Sequence, residues 1–204
     1  MTQSERTPPA QARQVTGPYR VLAVITSLDE VAHLLPVAEA IVNDRDGQLV
    51  LLLVVTVPEG QPLNEAAAQA SRMREGMTQR LSELTSIPVG LRTMVRPHRQ
   101  IWDGIWETVA QEQIGLLMFD WCCPLLAEGE TCRPFSHPQL RNPPCDLAVI
   151  RPAEDPAAGG IAGLQRILLP VRGGPGSSLA LRIAHALAQR ADAEITLLHV
   201  ETDA

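Results

Sequence analysis

The sequence predicts an α/β protein: an open parallel sheet of five strands with helices on both faces, followed by a partial second copy of its first β-α-β unit. Three observations carry this. Short apolar runs rich in branched residues alternate with amphipathic helical patterns, as in parallel sheets covered on both sides. Five such runs precede a Pro/Gly-rich stretch at Pro152–Gly163. The segment from Arg166 then repeats the segment from Arg20 at a constant offset of 146 residues.

In chain order, residues 1–18 are polar, rich in Thr, Gln and Pro, and aperiodic, which predicts a disordered arm. Val21–Ile25 reads as a doubly buried strand. Ser27 and Asp29 are candidate N-caps for a helix to about Asn43, with Val31, Leu34, Leu35, Ala38 and Ile41 or Val42 on one face. Gly47 is expected to close that helix, before a second strand over Gln48–Val57 that Pro58 stops. Asn64–Leu84 predicts a helix and Val89–Val95 a third strand. Ile101, Trp102, Ile105, Trp106 and Val109 form a helical stripe that leads into a fourth strand at Leu116–Phe119. Residues 120–144 lose periodicity, and Asp146–Ile150 supplies the fifth strand. The expected division is an arm at 1–18, a complete domain at 19–152, a linker at 153–164 and a truncated β-α-β unit at 165–204.

The repeat aligns without a gap from Arg20–Val54 to Arg166–Val200. Leu22 falls on Leu168, Leu35 on Leu181, Ala38 on Ala184 and Ala40 on Ala186. Asp46 falls on Asp192, Leu51 on Leu197, Leu52 on Leu198 and Val54 on Val200. Any two β-α-β units share a hydrophobic period, but ungapped agreement through two strands, a helix and both connections points to duplication.

Composition excludes several function classes. A net charge of −6 offers no basic face for nucleic acid or anionic lipid, and 3% aromatic content leaves little for base stacking. The most apolar run, Leu49–Val55, is far shorter than the roughly 20 residues that span a bilayer, so no direct membrane insertion is expected. With no secretory signal pattern, the expected compartment is the cytoplasm, with reduced cysteines.

The opening strand, helix and second strand, the segment Ile101–Trp121 and the closing segment Pro144–Arg151 resemble the universal stress protein family, over Tyr19–Arg151 and again over Gln165–Val200. The resemblance implies an adenine nucleotide alpha hydrolase-like fold, often present as tandem copies. Many relatives bind ATP through an acidic residue ending the first strand and a glycine-rich loop after the fourth. Here the acidic position is Thr26 in the first copy, with Asp29 three residues on, and Arg172 in the second. The loop region reads Phe119-Asp-Trp-Cys-Cys-Pro124, and its only glycine before the fifth strand is Gly129. Phosphate loops use glycine because backbone N–H groups must approach the oxygens closely. The run Pro170–Ser177 resembles degenerate copies of this domain fused to transporters such as amino-acid permeases and chloride channels.

Arg172, Gly173, Gly174, Gly176 and Ser177 follow a strand and open a helix, where free N–H groups and the helix dipole favour an anion. With Thr26, they are the candidate ligand residues for a weak anion or nucleotide site. The competing reading is a turn with Ser177 or Ser178 as N-cap. Cys122, Cys123, Cys132, His137 and Cys145 could supply soft ligands, but lack a paired spacing, so no metal site is expected. Trp102 and Trp106 read as core or subunit interface, with Trp121 at the end of the next strand. His33, His98, His185 and His199 are scattered, and no nucleophile–base motif is present.

The expected function is a non-catalytic regulatory or interaction module that self-associates as a homo-oligomer or contacts a membrane transporter, and needs no cofactor. Two other readings are an ATP- or AMP-binding stress-signalling protein and a cysteine-based metal or thiol sensor.

Overall fold

The computed structural model describes residues 18–58, 60, 62–84, 88, 90–121, 127–128, 131–132, 138–151 and 160–199. Most of the expected arm (1–17), much of the expected linker (152–159) and residues 200–204 lie outside them.

The elements of the first unit are β1 (Arg20–Ile25), α1 (Val31–Asn43), β2 (Gln48–Thr56), α2 (Leu63–Ser82), β3 (Arg92–His98), α3 (Ile101–Gln111), β4 (Leu116–Asp120) and β5 (Asp146–Ile150). They build a parallel five-stranded sheet in the order β3-β2-β1-β4-β5. The second unit is β6 (Arg166–Val171), α4 (Pro175–Ala191) and β7 (Glu194–His199), a separate two-stranded parallel sheet with its helix. A two-residue antiparallel pair joins Ala127–Glu128 to Thr131–Cys132.

Period-two alternation along β1 and β2 divides the core into two layers. Val21, Ala23, Ile25, Leu49, Leu51 and Leu53 meet α1 and α2 on one face. Leu22, Val24, Val50, Leu52 and Val54 meet Trp102, Ile105 and Val109 of α3 on the other. The stripe expected on α3 is therefore core, with Trp102 stacked on Trp106 at 5.4 Å and edge-on to Phe119 at 6.0 Å.

Two local expectations are corrected. The third strand lies at Arg92–His98 rather than Val89–Val95. A turn carried by Gly90 at φ +77° delays its start, and pairing with β2 from Val50↔Arg92 to Thr56↔His98 sets its extent. Pro97 is tolerated because β3 is an edge strand. Gly47 does not supply the left-handed residue that ends α1. Asp46 does, at φ 47°, while the Gly47 N–H donates to Val42 O at 2.8 Å. Glycine is needed at 47 for space, since a Cβ there would lie 2.5 Å from the Tyr19 carbonyl oxygen.

The second unit repeats these details. Asp192, the counterpart of Asp46, is also left-handed at φ 55°, and the Ala193 N–H donates to Ala188 O as Gly47 does to Val42. Gln48 N–H donates to Tyr19 O at 2.8 Å, and Glu194 N–H to Gln165 O at 3.0 Å. Arg20 is paired with Gln48 and Arg166 with Glu194, so the strand register is the same in both units.

Helix α4 packs the second unit onto the first. Ala184, Ala186 and Ala188 are buried, and Leu179, Ile183 and Ala186 join the layer built on α1. Small side chains let the two helices approach closely. Arg190 reaches Glu39 at 3.5 Å, and His185 meets Asp44 at 3.2 Å. The repeat offset carries Glu39 onto His185 and Asp44 onto Arg190. Each residue thus contacts the counterpart of the other, the pattern of a two-fold interface. Equivalent helices α1 and α4 meet about a pseudo-two-fold axis, one contributing acids and the other bases.

Candidate functional site

In an open α/β sheet, ligand sites form beyond the carboxyl ends of strands where the strand order reverses. Here that place is the gap between β1 and β4. Thr26 and Ser27 leave β1, and Asp120 ends β4 with only 5% of its surface exposed. His33, in the first turn of α1, crosses the gap, its Nε2 lying 2.5 Å from Asp120 Oδ2.

The turn after β1 is closed by its own side chains. Glu30 Oε2 accepts the Thr26 N–H at 3.0 Å, and Glu30 Oε1 accepts the Thr26 hydroxyl at 2.6 Å. Ser27 Oγ accepts the Asp29 N–H at 3.2 Å, capping a short 3-10 turn over Leu28–Glu30. Ser27 is therefore a cap as expected, but of this turn and not of α1. Thr26 offers a ligand neither a free N–H nor a free hydroxyl proton. The surrounding carboxylates of Glu30 and Asp120 would repel a phosphate.

Sequence reading missed the Glu30, His33 and Asp120 grouping. Their positions in the chain are uninformative singly, because the sheet order, not sequence spacing, brings β4 beside β1. The relevant signal was an acid and a histidine, Glu30 and His33, shortly after the end of the first strand at Ile25, together with an acid at the fourth strand's end.

The other candidate residues lie in the second unit. Arg172, Gly173, Gly174 and Gly176 are exposed. Gly173 and Gly174 have φ of +80° and +84°, and a Cβ on either, or on Gly176, meets nothing within 4 Å. Glycine therefore serves backbone shape at 173 and 174, and no neighbouring group demands its smallness. Gly174 is the N-cap of α4, and the Ser177 hydroxyl donates to Gly173 O at 2.9 Å, so Ser177 lies inside the helix. Thr26 follows the first strand of the five-stranded sheet and these five residues follow the first strand of the two-stranded one, as the repeat requires.

Cys122, Cys123 and His137 lie outside the described residues, and so does the Cys132 side chain. Cys145 is a free thiol, pushed up to about 12 chiefly by burial, with the Asp146 carboxylate adding to the effect. Among the described residues no group of three or more His, Cys, Asp or Glu could hold a metal ion, and no helix is long and apolar enough to cross a membrane. His199 Nδ1 lies 2.9 Å from Val171 O, and Trp106 Nε1 donates to Gln139 Oε1 at 3.0 Å.

The largest difference between the units is what covers them. Leu22 is 0% exposed, but its counterpart Leu168 is 63% exposed. Leu51 and Leu52 are 0% exposed, against 58% and 44% for Leu197 and Leu198, and Leu35 is 2% against 46% for Leu181. Leu168 and Leu198 lie on one face of the β6–β7 sheet, Leu197 on the other and Leu181 on α4, and all are apolar side chains without cover among the described residues. The chain matches no family model and no curated protein sequence.

Proposed function

We propose that the chain is a non-catalytic regulatory or interaction module of universal stress protein type, whose second unit engages another polypeptide through its uncovered sheet. The observation that carries this reading is the exposure of leucines whose counterparts are fully buried. Burying an apolar side chain of this size is favourable by about 1.5–3 kcal/mol, which is a substantial drive for association. The switch point favours this reading over nucleotide binding, because Glu30 occupies Thr26 and carboxylates replace a phosphate cradle. The Thr26 hydroxyl is held by Glu30 and the Ser27 hydroxyl oxygen accepts the Asp29 N–H, so both serve the turn beside the His33–Asp120 pair.

The test places a photo-crosslinking benzoylphenylalanine at position 168 of the full chain, with position 74 on the polar face of α2 as control. A discrete protein adduct from 168 and none from 74 is the expected result. Absence of any adduct from 168 overturns the reading. Millimolar ATP–Mg is expected to leave the melting temperature unchanged, whereas a saturable rise would replace this reading with the nucleotide-responsive one.

A further inference from the structure

We propose that the occupant of the open sheet is an amphipathic helix of a partner protein, lying across Leu168 and Leu198 with its carboxyl end at Arg166. This rests on the interaction reading above and names the partner's chemistry.

The first unit is the template. Leu168, Pro170 and Leu198 correspond to Leu22, Val24 and Leu52, and that face is covered by Trp102, Ile105 and Val109 of α3. At the end of α3, the Arg20 guanidinium donates to the Glu112 backbone carbonyl at 2.8 Å. Glu112 is the C-cap of α3, so the cation meets the negative end of the helix dipole. Arg166 is the counterpart of Arg20 and keeps the same register with β7, but is exposed. Charge and apolar face together therefore fit a helix in one orientation, its last carbonyls over Arg166.

Pairing of an added strand on β6 is disfavoured. Tyr19 O accepts from Gln48 of β2 and Arg20 O from Gly115 at the start of β4, so alternate residues of β1 turn to alternate neighbours. By that alternation Val24 faces β4. Its counterpart Pro170 has no N–H to offer the corresponding open edge, which blunts it. A second copy of the chain is also a poor occupant. Its described helices α1 and α3 already bury their apolar faces, α4 exposes only Leu181 beside the charged Arg182, and the outer face of α2 carries Ser71, Arg74, Glu75 and Thr78.

The experiment places benzoylphenylalanine singly at 168 and at 198 in the full chain and maps the adducts by mass spectrometry. The expected result is that both probes label one partner segment at residues three or four apart, a helical spacing. Arg166→Glu should cut the adduct yield at least tenfold, while Arg166→Lys retains most of it. Labelled residues two apart, indicating a strand, or a second copy of this chain as the adduct, overturns the helix and leaves the interaction reading standing. No adduct from either probe removes both.

Discussion

Arg190 on α4 holds Glu39 on α1 at 3.5 Å, and the repeat places His185 at the position of Glu39 and Arg190 at that of Asp44. With His185 beside Asp44, two acids on one helix face two bases on its counterpart. Two identical α1 helices meeting in this way would instead set Glu39 against Asp44, a like-charge contact. The change of sign between copies therefore favours α1–α4 packing over α1–α1 packing.

This relationship is open to a charge-swap cycle. Arg190→Glu should weaken docking of the second unit, and adding Glu39→Arg should restore it. The coupling is expected to be below about 1 kcal/mol, because the Arg190 side chain is half-exposed and screened by solvent. Hydrogen exchange of the α4 amides reports it, and equal exchange in all four proteins of the cycle would show that the pair is passive.

Equivalent leucines should behave unequally. Leu22→Ala should cost about 2–5 kcal/mol in denaturant unfolding, since the side chain is fully buried between β1 and α3. Leu168→Ala at the counterpart position should change stability by no more than about 0.5 kcal/mol. A large loss at 168 in the isolated chain would mean that the surface is already covered.

Two glycines separate space from backbone freedom. Gly47→Ala should cost about 1–3 kcal/mol, because the new Cβ would collide with the Tyr19 carbonyl, a backbone atom that cannot swing aside. Gly176→Ala has open space and no positive φ, and should stabilise by about 0.4–1 kcal/mol through the unfolded chain. Thermal unfolding of the two variants checks the opposite signs.

Cys145 gives a pH dependence. Its folded value of about 12 lies above the ordinary thiol range, so the native state holds the proton more tightly than the unfolded chain. Its contribution is complete below the unfolded value and is lost as pH rises from about 9 towards 12. Burial also raises Tyr19, which acts in the same direction, so Cys145→Ala is needed to isolate the thiol. The urea midpoint should fall from pH 8 to 10.5, less steeply in the variant. The native thiol should also react slowly with iodoacetamide at pH 8; rapid alkylation would contradict its burial.

The first unit was largely legible in the sequence because its determinants are local. Runs such as Leu49–Val55 and Leu116–Phe119 read as doubly buried strands, and the stripe of Trp102, Ile105 and Val109 reads as a core or interface face, which the structure lays against the sheet. The offset that carries Asp46 onto Asp192 was readable too, although the reason both are left-handed lay in how each helix ends.

Sequence by itself determined the parallel α/β character, the five strands and the repeat, since hydrophobic period and self-similarity are properties of the chain alone. Only the tertiary structure decided that His33 meets Asp120, that Glu30 closes Thr26, and that α4 lies against α1 with crossed charges. It also revealed that Leu168 and Leu198, apolar like their buried counterparts, face outward. Each of these depends on which elements become neighbours, and strand order and helix docking are set by long-range packing that no local pattern encodes.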